Sequence, residues 1–167
     1  MPNHRVEAIA NEFLTRARAE GRSLTNMQLQ KLPYIAHGWG LATQNSRLIA
    51  NQPIAWPYGP VYPDLYQALR RYGPMEVADL VHENDGNPFS TERGALITEP
   101  LTPNESALID AVWAGYKNFD AFSLSNMTHR DGTPWTQTYN NFGRAPISDA
   151  LIQAHYQQLM RERGAAN

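Results

Sequence analysis

The chain has 167 residues, with 14 Lys+Arg against 16 Asp+Glu for a formal net charge of −2; 42% of it is hydrophobic, 10% is aromatic, and it contains no cysteine. One compact domain is expected, because domains commonly run to roughly 100–200 residues and bury a core at that size without staples. The composition excludes disulfides, cysteine-ligated metals and thiol nucleophiles, gives little attraction to nucleic-acid phosphate, and offers no apolar run near the roughly 18–20 residues of a membrane span. The start, Met1-Pro2-Asn3-His4-Arg5-Val6-Glu7, lacks the basic-then-apolar layout of a signal peptide, so a cytoplasmic location is expected.

Val6 to Arg18 predicts an amphipathic helix, with Val6, Ile9, Ala10, Phe13, Leu14 and Ala17 on one side and Gly21 closing it. A second helix opens at Thr25, where Gln28 completes a capping box, and buries Leu29, Leu32, Ala36 and Trp39. Pro33 interrupts that stripe and predicts a kink or a restart, since it removes a helical N–H. From Leu48 to Pro63 the helical period fails among several prolines, which predicts a short strand pair or a rigid extended loop. Pro63 then starts a helix with Leu65, Tyr66 and Leu69 inward, stopped at Tyr72-Gly73-Pro74. Val77 to Thr98 reads as a turn-rich excursion. Thr102-Pro103-Asn104-Glu105 joins a capping residue, a first-turn proline and a box-completing Glu ahead of Leu108, Ala111, Val112 and Tyr116. A short helix is predicted over Ala121 to Thr128, an irregular stretch from His129 through Trp135 to Gly143, and a last helix from near Ser148 carrying Leu151, Ile152, His155, Tyr156 and Leu159. The sum is a mainly α fold, a single helical domain with a small β element in its first half.

Chemistry is sparse. His129-Arg130-Asp131 with Asn141-Phe142-Gly143 superficially resembles protein-kinase motifs, but Thr136 stands where the metal-binding Asn is needed, Asn141 replaces Asp, and the Gly-rich loop is absent. The five histidines are scattered without metal-ligand spacing, so no metal or cofactor is expected; His37 and His155 read as packing residues, while His129 stands at a helix end where it would meet the helix dipole. The unusual segment is Ala55-Trp56-Pro57-Tyr58-Gly59-Pro60-Val61-Tyr62-Pro63, aromatic rings on a proline-stiffened backbone. Such rings lose little entropy on binding and suit a protein-contact surface, although they also serve as core plugs.

That segment, together with Leu24-Thr25-Asn26-Met27-Gln28-Leu29-Gln30-Lys31-Leu32, Leu124-Ser125 to Thr128-His129 with Gly132 and Pro134-Trp135, and Ile147-Ser148-Asp149, resembles the Panacea domain, the SocA-like antitoxin domain also found in phage-associated proteins. The resemblance spans nearly all of residues 1–167, read as one such domain; Pro33 departs from it, since an apolar helix former usually follows the Gln-Lys-Leu. It implies a non-enzymatic antitoxin that neutralises a cognate protein toxin by direct binding, some members acting as adaptors to a protease of the AAA+ class. No added DNA-binding module is seen, so autoregulation is not expected. On the co-occurrence of motifs, the Tyr58-Gly59-Pro60 loop is expected beside the helix bearing Gln30, Lys31 and Tyr34, with Trp56, His129 and Trp135 closing an aromatic pocket. The alternative is that these motifs are frame and a variable surface meets the toxin. Two other readings stand: a mobile-element protein that counters a host defence by binding, and a small-ligand binder or enzyme using His129, Asp131 and Tyr58.

Overall fold

A computed structural model describes residues 3–165. Its described residues form seven α-helices and one two-stranded antiparallel hairpin, all contributing to one core. Helix α1 (Val6–Ala19) buries every apolar residue of the predicted stripe. Helix α2 (Asn26–Gln44) starts at the predicted box, where Thr25 Oγ1 accepts from the Gln28 N–H at 3.3 Å and Gln28 Oε1 accepts from the Thr25 N–H at 2.9 Å. It is the central rod, with α1, α4, α5 and α7 packed around it. The expected restart at Pro33 does not occur, and α2 is assigned without a break from Asn26 to Gln44. Pro33 is buried in a helix enclosed on several sides, so packing offsets the missing hydrogen bond.

Strands β1 (Ile54–Trp56) and β2 (Gly59–Val61) pair in the register Ile54–Val61, Ala55–Pro60 and Trp56–Gly59. Pro60 fits because β2 is an edge strand, where the ladder needs no N–H from it. Helix α3 (Pro63–Leu69) follows with proline at its first position and ends in a 3₁₀ turn, Arg70–Tyr72. Tyr66, expected inward with Leu65 and Leu69, is only half-buried. Residues 77–98 form no helix or extended ladder, and Asn11 pins them: its Nδ2 donates to Val81 O (2.9 Å) and Ile97 O (2.8 Å), and its Oδ1 accepts from Val81 N (2.7 Å).

Helix α4 (Pro103–Tyr116) carries the second capping box, and α5 (Ala121–His129) is capped by Asp120. The stretch expected to be irregular instead contains α6 (Pro134–Phe142). Thr133 caps it by accepting from the Thr136 N–H, and Pro134 takes the first helical position, where its missing N–H costs nothing. Helix α7 (Asp149–Ala165) closes the fold against α2, where the Tyr156 ring lies over Gly38. No described helix is long and apolar enough to cross a membrane.

Candidate functional site

The hairpin is held by side chains rather than by further strands. Along β1 the chain returning from α6 supplies backbone bonds, Ala55 N to Ala145 O and Ile147 N to Pro53 O, both 2.9 Å. The open edge of β2 is met by two consecutive residues of α2. Gln30 Oε1 accepts from the Tyr62 N–H at 2.9 Å while its Nε2 donates to Asn26 Oδ1, also at 2.9 Å. Lys31 Nζ donates to Pro60 O at 2.7 Å. An edge strand whose polar groups would otherwise be buried unpaired is thus satisfied by a helix. Both side chains are fully buried, and desolvation pushes the Lys31 amine down to about 7.

The tip is clamped from the other side. Ser125 Oγ on α5 donates to Tyr58 O at 2.7 Å, and Trp135 Nε1 on α6 donates to Trp56 O at 2.6 Å. With the Lys31 bond, three helices hold the carbonyls of Trp56, Tyr58 and Pro60. Gly59 turns the chain at φ +112°, a backbone conformation that requires glycine, and a Cβ there would stand 2.9 Å from Lys31 Nζ and displace the amine. The side chain of Tyr58 points away from all of this and is 72% exposed.

Around the tip lie half-buried aromatics. Trp135 stacks on Tyr139 at a centroid distance of 4.8 Å and meets His129 edge-on at 5.3 Å; Trp56 meets Tyr66 edge-on at 5.1 Å. Phe122, three residues before Ser125 on α5, is 74% exposed. The structure therefore divides the nine residues singled out above. Gln30, Lys31, Tyr34, Gly59 and Pro60 are buried and cannot touch a partner, whereas Tyr58, Trp56, His129 and Trp135 have surface. Tyr34 lies apart from the tip, edge-on to Tyr156 at 6.5 Å within the core, where burial raises its hydroxyl pKa. Rather than lining a pocket, Tyr58 stands out from the surface.

Ser125, Tyr66, Phe122 and Arg144 join the region without having been singled out. The Ser125–His129 spacing of four on one helix face was the available signal for Ser125. His129 Nδ1 is directed at the Ser125 carbonyl and lies 3.3 Å from its hydroxyl, the ring rests against Trp135, and Asp131 is exposed in the turn that follows α5. Among the described residues no carboxylate lies within hydrogen-bond reach of His129, and no cluster of metal-ligating side chains is gathered. An acid–base arrangement of His129, Asp131 and Tyr58 gains no support from this geometry. His37, read as a packing residue, is instead doubly engaged: its Nδ1 accepts from the Ile49 N–H at 3.2 Å and its Nε2 donates to Asp149 Oδ1 at 3.0 Å.

A family model described as "Antitoxin SocA-like, Panacea domain" matches residues 29–136, from the middle of the first turns of α2 to the start of α6. The chain belongs to this family. The matched stretch holds the whole hairpin and each side chain that clamps it, while α1 and α7, outside it, complete the same core. The Panacea chain is 28% identical over 138 residues to "Antitoxin SocA" of Caulobacter vibrioides (strain NA1000 / CB15N), which covers 83% of this chain and 72% of that protein. No solved structure matches it.

Proposed function

We propose that this protein is an antitoxin that neutralises a protein toxin by direct contact, using the face around Tyr58. Membership of the SocA-like family supports the antitoxin role. The observation that supports the face is the clamped hairpin, which presents an exposed aromatic ring on a backbone fixed by three helices. Tyrosine offers large amphipathic contact area with few rotatable bonds, and a fixed backbone removes most of the ordering cost of binding. The buried motif residues Gln30 and Lys31 build this frame, and the contact belongs to the exposed side chains.

The test is co-expression with the product of the neighbouring reading frame in a strain where that product arrests growth, with co-purification of the pair. Wild type is expected to restore growth and to co-purify, and Tyr58→Ala to weaken the complex by about 2 kcal/mol, roughly 30-fold, while remaining folded. The level of the partner separates two routes: an unchanged level means occlusion, and a fall that requires a AAA+ protease means delivery to it. Absence of both rescue and complex for a folded wild type would remove the antitoxin reading.

A further inference from the structure

Two arginines bracket the aromatic surface beside the tip. The Arg144 guanidinium lies over the Trp56 ring, 5.6 Å from its centroid, and Trp56 in turn meets Tyr66. One helical turn beyond Tyr66 comes Arg70, and both border one surface pocket of about 280 Å³ together with Ala121, the neighbour of Phe122. The surface thus runs Arg144, Trp56, Tyr66, Arg70, with exposed Tyr58 and Phe122 from the adjoining turn and helix. Arg70 and Arg144 are exposed, and neither has a carboxylate in ion-pair range among the described residues. Their neighbour Arg71 is paired with Asp85, and Arg5 and Arg18 are paired with Glu83 and Asp79, whereas Arg22, Arg130, Arg161 and Arg163 share the unpaired state away from this strip among the described residues. The aromatic strip thus carries an exposed, unpaired guanidinium at each of its two ends.

We propose that this strip receives an acidic segment of the protein partner, with carboxylates meeting Arg70 and Arg144 and an apolar or aromatic side chain between them on Trp56 and Tyr66. The proposal rests on the antitoxin reading and specifies the partner chemistry at that same face. Arginine matches it because its planar fork binds carboxylates bidentately while its face rests on a ring. A protein segment fits better than nucleic acid. Two cations are few for tracking a phosphate backbone.

The experiment pans a random peptide library on the full chain and measures an enriched peptide by fluorescence anisotropy against wild type, R70E/R144E and Y58A. Acidic peptides with an apolar anchor are expected, with binding weakened about tenfold by R70E/R144E, weakened by salt, and recovered when the peptide's acids are exchanged for lysines. Circular dichroism confirms the fold of each variant; R70E/R144E should keep the native spectrum because neither arginine supports a structural ion pair. Enrichment of neutral or basic peptides, acidic-peptide binding indifferent to R70E/R144E, arginine-dependent binding of an oligothymidylate in its place, or arginine-dependent dimerisation would each overturn the proposal. In the growth assay, full rescue by R70E/R144E overturns this inference and leaves the antitoxin reading standing, whereas failure of rescue by wild type overturns that reading itself.

Discussion

Lys31 carries an amine into a place with no carboxylate to meet it, and its hydrogen bond to Pro60 O is worth less than the lost hydration. Burial lowers its pKa from 10.5 to about 7, so between those values the unfolded chain binds more protons than the folded one and stability rises with pH. K31M removes that titration. Urea midpoints measured across this range should climb for wild type relative to K31M; parallel curves would show that the amine is hydrated in the folded protein. His4 has the opposite sign. It is buried with Nδ1 3.2 Å from Glu99 Oε1 and Nε2 2.9 Å from Glu105 Oε2. Burial by itself lowers its pKa, but the bonds and charges of Glu105 and Glu99 outweigh that and raise it above 6.5. The stability from this triad is fully present below 6.5 on the histidine's side and is lost as pH rises through the raised value; Glu105, held below 4.5, loses its share as pH falls through its lowered value. H4Q should therefore lower the melting temperature most between pH 4.5 and 6.5 and progressively less above it.

At the level of elements, caps were the most legible features and packing contacts the least. Thr25 with Gln28 and Thr102 with Glu105 start helices as their spacing predicts, because a cap is complete within four residues and depends on little beyond them. Thr133-Pro134 carries a related cap, Thr followed by first-turn proline, but Gly132 and the polar run after Trp135 made the segment read as irregular. Its helix draws support from a tertiary contact, the bond of Trp135 Nε1–H to Trp56 O, which no local window contains. Gly38 is a second contact hidden from local reading. A Cβ there would stand 2.3 Å from the Tyr156 ring, so α2 and α7 approach only because this position has no side chain. G38A should cost about 1–3 kcal/mol through overpacking, seen as a lower urea midpoint with an unchanged slope. A neutral result would mean that the Tyr156 ring shifts freely.

Across the whole molecule, long-range polar clamps turn irregular chain into fixed surface. The loop over residues 77–98 has little secondary structure of its own and is joined to α1 by the bonds of Asn11. N11A leaves the amide of Val81 and the carbonyls of Val81 and Ile97 without those partners, at about 1–3 kcal/mol for an unmade buried bond. Limited proteolysis should then cut this loop before the helices, and equal resistance in N11A and wild type would show that apolar packing of Val77, Val81 and Ile97 suffices. The hairpin uses the same device with three helices, which is why a short two-stranded unit, marginal by itself in water, can present Tyr58 in one position.

Helix starts, buried stripes, the proline-stiffened strand pair and the resemblance to the Panacea family are all written in short stretches of sequence, because each depends on residue types a few positions apart. The roles of individual motif residues were not. Tyr58 and Tyr62 are the same residue type four positions apart in one motif, yet one is 72% exposed and the other fully buried. Lys31 and Ser125 sit far from the hairpin in sequence, and only the packing of α2 and α5 against it makes one a buried donor to Pro60 and the other a donor to Tyr58. Local pattern determined which segments fold as helix and hairpin. The tertiary structure decided which motif side chains are frame and which are surface, since that depends on which backbone polar groups remain to be satisfied once the elements have packed.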